Sequence, residues 1–140
     1  MLAMRQMVSD SNPNPMPTTK TKGQLEAEIS AAMVQFEREY MGRGPEETRT
    51  YLIDDLVLVR LRGVLTPAEK QLASGDPAGD NRKLIKQVRM QLLEKARPLL
   101  ISIIKDILNQ DVISLHTDIS IKTGERVILF SLAGQPKFAA

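Results

Sequence analysis

The chain has 140 residues, enough for one domain with a substantial core, and its 42% apolar and 26% charged residues are ordinary for a globular protein. It contains no cysteine, which excludes disulfides, thiolate metal sites and a cysteine nucleophile, and suits a reducing cytoplasm. A net charge of +2 and a pI near 9.0 fall short of a dedicated nucleic-acid binder; with aromatics at 4% and no Trp, the core must come from Leu, Ile, Val and Met.

Residues 1–19 are rich in Asn, Pro and Ser, lack the continuous apolar stretch of a signal peptide, and read as a disordered leader. "TKGQ" at 21–24 then reads as a capping box, with Thr21 as cap and Gln24 reaching back. Leu25, Ile29, Met33, Phe36 and Tyr40 recur three or four apart and predict an amphipathic helix of about five turns. It stops at Gly42, placed for a left-handed closure, and Pro45 cannot continue it. "GRGPEE" therefore reads as a helix stop and turn rather than an anion-binding loop, because no helix with a Lys-Ser/Thr pair follows. Arg43 is its one member without a backbone reason.

"RTYLIDDLVLVRLRGVL" (49–65) reads as a hairpin turned at Asp54-Asp55. Ile53 then faces Leu56, Tyr51 faces Leu58 and Arg49 faces Arg60, while Leu52–Val57 and Thr50–Val59 occupy the other side. Both faces are partly apolar, unlike a solvent-facing sheet surface. The paired Asp residues read as a turn, since no further metal ligands cluster beside them. "TPAEKQLA" (66–73) predicts a short helix with Thr66 as cap, Pro67 first and Glu69 completing the box, followed by a turn-rich loop at 74–81.

A long helix is predicted from about Asn81 to Asn109, capped by Asp80 and kinked at Pro98, with the stripe Ile85, Val88, Leu92, Ala96, Leu99, Ile103, Ile107 facing the core. Residues 82–97 carry six Lys/Arg against one Glu, a charge that the helix dipole disfavours near an N-terminus. Residues 99–108 are apolar nearly all round, which predicts burial on every side. Residues 112–132 predict a second hairpin turned at Thr123-Gly124. That register pairs Ile119–Ile128, Thr117–Phe130 and Leu115–Leu132 on the core face, with Asp118–Leu129 and His116–Ser131 outside. The last residues, 133–140, read as a frayed tail. The expected fold is α+β in two layers: a four-stranded antiparallel sheet with two long helices on one face, order α-β-β-(short α)-α-β-β, as a single domain over 20–132.

Chemistry-bearing residues are few. His116, the only histidine, shares a strand face with Asp118 at roughly 6.5–7 Å, beyond direct pairing, and Ser114 and Ser120 flank them. This is not a catalytic constellation, and the chain reads as non-enzymatic, with no cofactor and no metal site. Arg49, Arg60 and Arg62 form a candidate basic patch on the first hairpin.

At "KTKGQLEAEIS", "FEREYMGRGPEETRTYLIDDLVLVRLRGVLTPAEKQL", "ARPLL" and "SLHTDISIKTGERVILFSL" the chain resembles the MpsC-like family, formerly a domain of unknown function. That family is labelled after the accessory C component of a Na+-translocating membrane-potential-generating system. The resemblance covers about residues 20–132; the Pro-rich leader and "ASGDPAGDN" depart from it. It implies a small soluble protein without a catalytic role, beside membrane partners that resemble ion-transporting and inorganic-carbon-uptake proteins. Carried over, the family's recurring positions are Gly42, Arg43, Gly44 and Pro45, then Thr66, Pro67, Ala68 and Glu69, then Arg97 and Pro98, then His116, Thr117, Asp118, Gly124 and Glu125. Backbone geometry accounts for the Gly and Pro positions and for Thr66 and Glu69. Arg43, Arg97, His116 and Asp118 remain as candidates for function.

The leading expectation is a cytoplasmic accessory protein that forms a homodimer or larger homo-oligomer and meets membrane transporter subunits. It rests on the second sheet face (Tyr51, Leu58, Leu129) and the 99–108 segment, whose apolar surface exceeds what two helices cover. The alternative is an RNA- or nucleotide-binding module using Arg43, Arg49, Arg60 and Arg62. Nucleic acid is the weaker choice because exposed aromatics are not interleaved with the basic residues.

Overall fold

The computed structural model describes residues 20–139; the expected leader lies outside them. Helix α1 (Lys22–Met41) starts at the Thr21 capping box, where Thr21 Oγ1 accepts from the Gln24 amide and Gln24 Oε1 accepts from the Thr21 amide. It ends at Gly42, whose φ of 89° is the left-handed closure expected there. Leu25, Ile29, Met33 and Phe36 are buried as the spacing predicts, but Tyr40 is 46% exposed. Tyr40 stacks on Phe36 while Glu37 and Met41 turn inward instead.

Strands β1 (Glu47–Ile53) and β2 (Leu56–Arg62) form the first hairpin in the expected register, with Asp54 in the left-handed region (φ 54°) at the turn. Helix α2 (Pro67–Ala73) carries the Thr66–Glu69 capping box, a device that stabilises a helix start by about 0.5–2 kcal/mol. Helix α3 (Asp80–Leu108) starts differently from the expectation. Gly79 occupies the cap position, Asp80 is the first helical residue, and Asp76 Oδ2 accepts the Arg82 amide at 3.1 Å. The helix runs on through Pro98 to Leu108.

The buried face of α3 also differs from the predicted stripe. Ile85, Arg89, Leu93, Ala96, Leu100, Ile104 and Leu108 face the core, whereas Val88, Leu92 and Leu99 are exposed. Two apolar stripes run along this helix, and the one containing Arg89 is turned inward by that residue's partners. One consequence corrects an expectation: Leu100 and Ile104 are fully covered within a single subunit, so residues 99–108 give no argument for assembly.

Strands β3 (Val112–Ser120) and β4 (Glu125–Leu132) complete one antiparallel sheet in the order β1-β2-β4-β3. Their loop is the four residues 121–124, not the tight Thr123-Gly124 turn. The Gly124 amide bonds Ser120 O at 2.8 Å, the Thr123 amide bonds Ser120 Oγ at 3.2 Å, and Ile121 is tucked inside. The faces stay as predicted but the partners shift by two: Thr117 opposes Ile128, Leu115 opposes Phe130, His116 opposes Leu129 and Asp118 opposes Val127. Helices α1 and α3 contact each other and pack over β1 and β3 respectively, giving the expected two layers. The segment expected to fray returns to the start of α1, where the Ala139 amide bonds Lys20 O at 2.8 Å. Among the described residues, no helix is long and apolar enough to cross a membrane.

Between the layers lies a charge cluster that periodicity did not reveal. Glu37, Arg89 and Arg126 are each at most 1% exposed. Arg89 grips Glu69 with two bonds, Nε to Oε2 at 2.9 Å and Nη2 to Oε1 at 2.5 Å, and Nη2 also donates to Val64 O at 2.9 Å. Its Nη1 sits 3.7 Å from Glu37 Oε1. Arg126 donates to Thr117 Oγ1 and to Arg89 O. The cluster thus joins α1, α2, α3, β3 and β4.

Candidate functional site

Both long helices cover one sheet face, so the other face has no second layer. Alternation along each strand places four residues of that face in each row. The central row is Tyr51, Leu58, Leu129, His116 from β1 to β3; beside it run Arg49, Arg60, Val127, Asp118 and, on the other side, Ile53, Leu56, Ser131, Ser114. Tyr51 and Ile53 are 40% and 49% exposed, and Leu56, Leu58, Val127 and Leu129 are half-buried. A solvated sheet face alternates to polar residues, and the middle of this one does not.

The rim of the face holds paired charges. Arg60 Nε bonds Glu125 Oε2, Arg62 reaches Glu125 at 3.7 Å and Glu47 at 3.4 Å, and Arg49 meets Glu47 at 3.1 Å. At the far edge Asp118 meets Lys86 at 3.1 Å. The Ile119 amide, then the Lys86 ammonium, hold the Asp118 carboxyl below its ordinary range, so it stays ionised. No hydrogen bond joins His116 to Asp118 among the described residues, and His116 is exposed on an open face rather than in a cleft.

Of the other candidates, Arg43 braces the turn after α1: it donates to Gly44 O and to Leu65 O and lies 3.6 Å from Glu46. Arg97 binds Glu94 with two bonds and donates to Leu115 O at 3.1 Å, pinning α3 to β3. The structure therefore brings Arg49, Arg60, Arg62, His116 and Asp118 onto one face and leaves Arg43 and Arg97 off it. Much of the basic half of α3 is already neutralised, Arg82 by Asp76, Lys86 by Asp118 and Arg89 by Glu69.

A groove of about 750 Å³ adjoins the rim at the β3–β4 loop. Arg60, Arg62, Lys70, Arg82 and Lys122 line it against two carboxylates, Glu46 and Glu125. The sequence marks Arg60 and Arg62 on the first hairpin and Arg82 in the basic half of the long helix as separate basic stretches; it does not show that they meet, nor that Lys70 and Lys122 join them. A second exposed apolar strip, Leu84, Val88 and Leu92, lies along α3.

The described fold coincides with a family match: residues 21–134 fit the family described as Na+-translocating membrane potential-generating system (MpsC). The chain belongs to the MpsC family. Its similarity to the uncharacterized protein YbcI of Bacillus subtilis (strain 168) is 42% identity over 113 residues, 81% of this chain and 89% of that protein. No solved structure matches it significantly. The MpsC match covers both hairpins, so the uncovered sheet face lies wholly within the family region.

Proposed function

We propose that this MpsC-family chain is a non-enzymatic cytoplasmic accessory protein that acts by association, docking through the outer sheet face to a second copy of itself. The observation that carries this reading is the uncovered central row, Tyr51, Leu58 and Leu129, with Ile53, Leu56 and Val127 beside it. Four strands at about 4.8 Å and seven residues at about 3.3 Å make a face roughly 19 Å by 23 Å. That footprint of about 440 Å² is a little over half of the about 800 Å² per partner of a standard interface, so the charged rim must take part in the contact as well. The family description, which names a Na+-translocating membrane potential-generating system, supports placing such an assembly beside ion-translocating membrane subunits.

The test is sedimentation of the full chain at micromolar concentration. The wild type is expected to sediment as a dimer. Leu58→Glu should weaken it by at least about 100-fold in Kd, because a carboxylate at the centre of an apolar contact is buried without a partner. Its circular dichroism should stay native. The α3 strip serves as the control: Val88→Lys should leave the dimer intact. A wild-type monomer, or a dimer indifferent to Leu58→Glu, overturns the reading.

The basic groove favours a second reading, an RNA- or nucleotide-binding module. Five cations face two carboxylates there, and Lys122 has no ion-pair partner among the described residues. On this reading the chain is retained on immobilised RNA at low salt, retention falls steeply with salt, and Arg62→Ala/Lys122→Ala abolishes it. Passage through the column at the lowest salt removes the reading.

A further inference from the structure

The outer face carries more information than its greasiness, because its charges are arranged so that the face complements itself. Two copies stacked face to face are related by a two-fold axis lying between the sheets, and where the two sheets pack aligned that axis runs either along the strands or across them. The axis along the strands carries β1 of one copy onto β3 of the other and β2 onto β4, and it returns every cross-strand row onto itself. Leu58 then meets Leu129, and Tyr51 meets His116. In the next row Arg49 meets Asp118 and Arg60 lies over Val127 while keeping its own Glu125, and at the rim Arg62 meets Glu125. The axis across the strands exchanges rows instead. Glu47 then lies on Ile53 and Arg62 on Leu56, which buries charge against hydrocarbon.

We infer that the homodimer is a two-layer sheet-on-sheet stack with its two-fold axis parallel to the strands between β2 and β4, locked by two reciprocal Arg49–Asp118 pairs. This rests on the docking reading above and deepens it by fixing which residues meet. Both charges stand well out from the subunit: the side chains of Arg49 and Asp118 are 65% and 69% exposed. Within one subunit they lie on opposite edge strands, three strand spacings or about 14 Å apart. They therefore cannot meet each other in the monomer, where Arg49 pairs with Glu47 and Asp118 with Lys86 at the surface. Stacked sheets cross at about 30°, so contacts near the axis are direct, while those at the edge depend on the reach of the arginine side chain.

The experiment is a charge-exchange cycle read by sedimentation equilibrium. Arg49→Asp and Asp118→Arg should each weaken the dimer roughly tenfold or more, since each places two like-charge pairs at the interface. The double variant Arg49→Asp/Asp118→Arg should return to within about threefold of wild type. A second readout uses the absence of native cysteine. A chain bearing Arg49→Cys mixed with one bearing Asp118→Cys should give a covalent dimer with a short bis-maleimide, and Arg49→Cys alone should not. If Leu58→Glu breaks the dimer but the exchange fails to restore and the mixture fails to crosslink, this symmetry is wrong and docking through the face stands. If the wild type is a monomer, both fall.

Discussion

Arg89→Met is expected to destabilise the domain by about 3–5 kcal/mol, the range seen when one partner of a buried ion pair is removed. Arg89 is the hub of the interior cluster: it holds Glu69, faces Glu37 and donates to Val64 O. Removing it strands the Glu37 carboxylate, whose two oxygens have no hydrogen-bond partner even with Arg89 present. It also frees Glu69, and with it the orientation of α2. Urea denaturation measures the loss. Two companions separate charge from packing. Leu84→Ala, on the exposed side of the same helix, should stay within about 0.5 kcal/mol of wild type. Arg89→Lys should lose less than Arg89→Met, because it keeps a positive charge beside Glu37 and Glu69 while giving up the two-bond grip on Glu69. A loss from Arg89→Met no larger than that from Leu84→Ala would show that the cluster does not hold the layers together.

The same cluster sets opposite pH dependences on its two carboxylates. Burial pushes Glu37 up from its ordinary value of 4.5, against the pull of Arg126 and Arg89. Burial also acts upward on Glu69, but the Arg89 hydrogen bonds and the Thr66 amide together outweigh it and hold that group below 4.5. For Glu37 the folded pKa exceeds the unfolded one, so its stabilising contribution is complete below pH 4.5 and is lost as pH rises through the folded value. For Glu69 the contribution is present above pH 4.5 and is lost as pH falls through the folded value. Urea titrations between about pH 3 and pH 8 should therefore diverge in sign. Relative to wild type, Glu37→Gln should gain stability as pH rises above 4.5, by about 1.4 kcal/mol for each unit that separates folded and unfolded values. Glu69→Gln should show its deficit near neutrality and lose it toward acid. Parallel curves for both variants would contradict the assignment.

Features encoded by neighbours were legible. Both capping boxes, the Gly42 closure and the Asp54-Asp55 hairpin each depend on residues within a few positions, and each stands where the pattern puts it. The second hairpin misled because Thr123-Gly124 resembles a complete turn. Its true loop is closed by Ser120, whose side chain and carbonyl hold the two residues that the tight turn would have used. Helix α3 was ambiguous for a different reason. Counting Arg89 as polar selects the Val88–Leu92–Leu99 stripe for the core. The residues that reverse the choice, Glu69 and Val64, lie 20 and 25 positions away. No periodicity reports a partner at that distance.

The candidate site divides the same way. The apolar second face of the first hairpin could be read from alternation alone, and it is the face the helices leave open. That His116 and Asp118 share this face with Arg49 and Arg62 depends on the strand order, which joins β2 to β4. Arg43 and Arg97 lacked a backbone reason in the sequence because their acceptors, Leu65 O and Leu115 O, lie 22 and 18 positions away.

The central seam between β2 and β4 also bears on synthesis. Strand β2 ends at Arg62 and its neighbour ends at Leu132, about seventy residues later. At about 5–20 residues per second, the ribosome delivers the covering strand some 3–14 s after the first hairpin emerges. Throughout that interval Leu56 to Arg62 presents bare amides and carbonyls beside Val57, Val59 and Leu61, the kind of edge that recruits other nascent chains. A holding chaperone, or the early swing of α1 across the hairpin, has those few seconds in which to act.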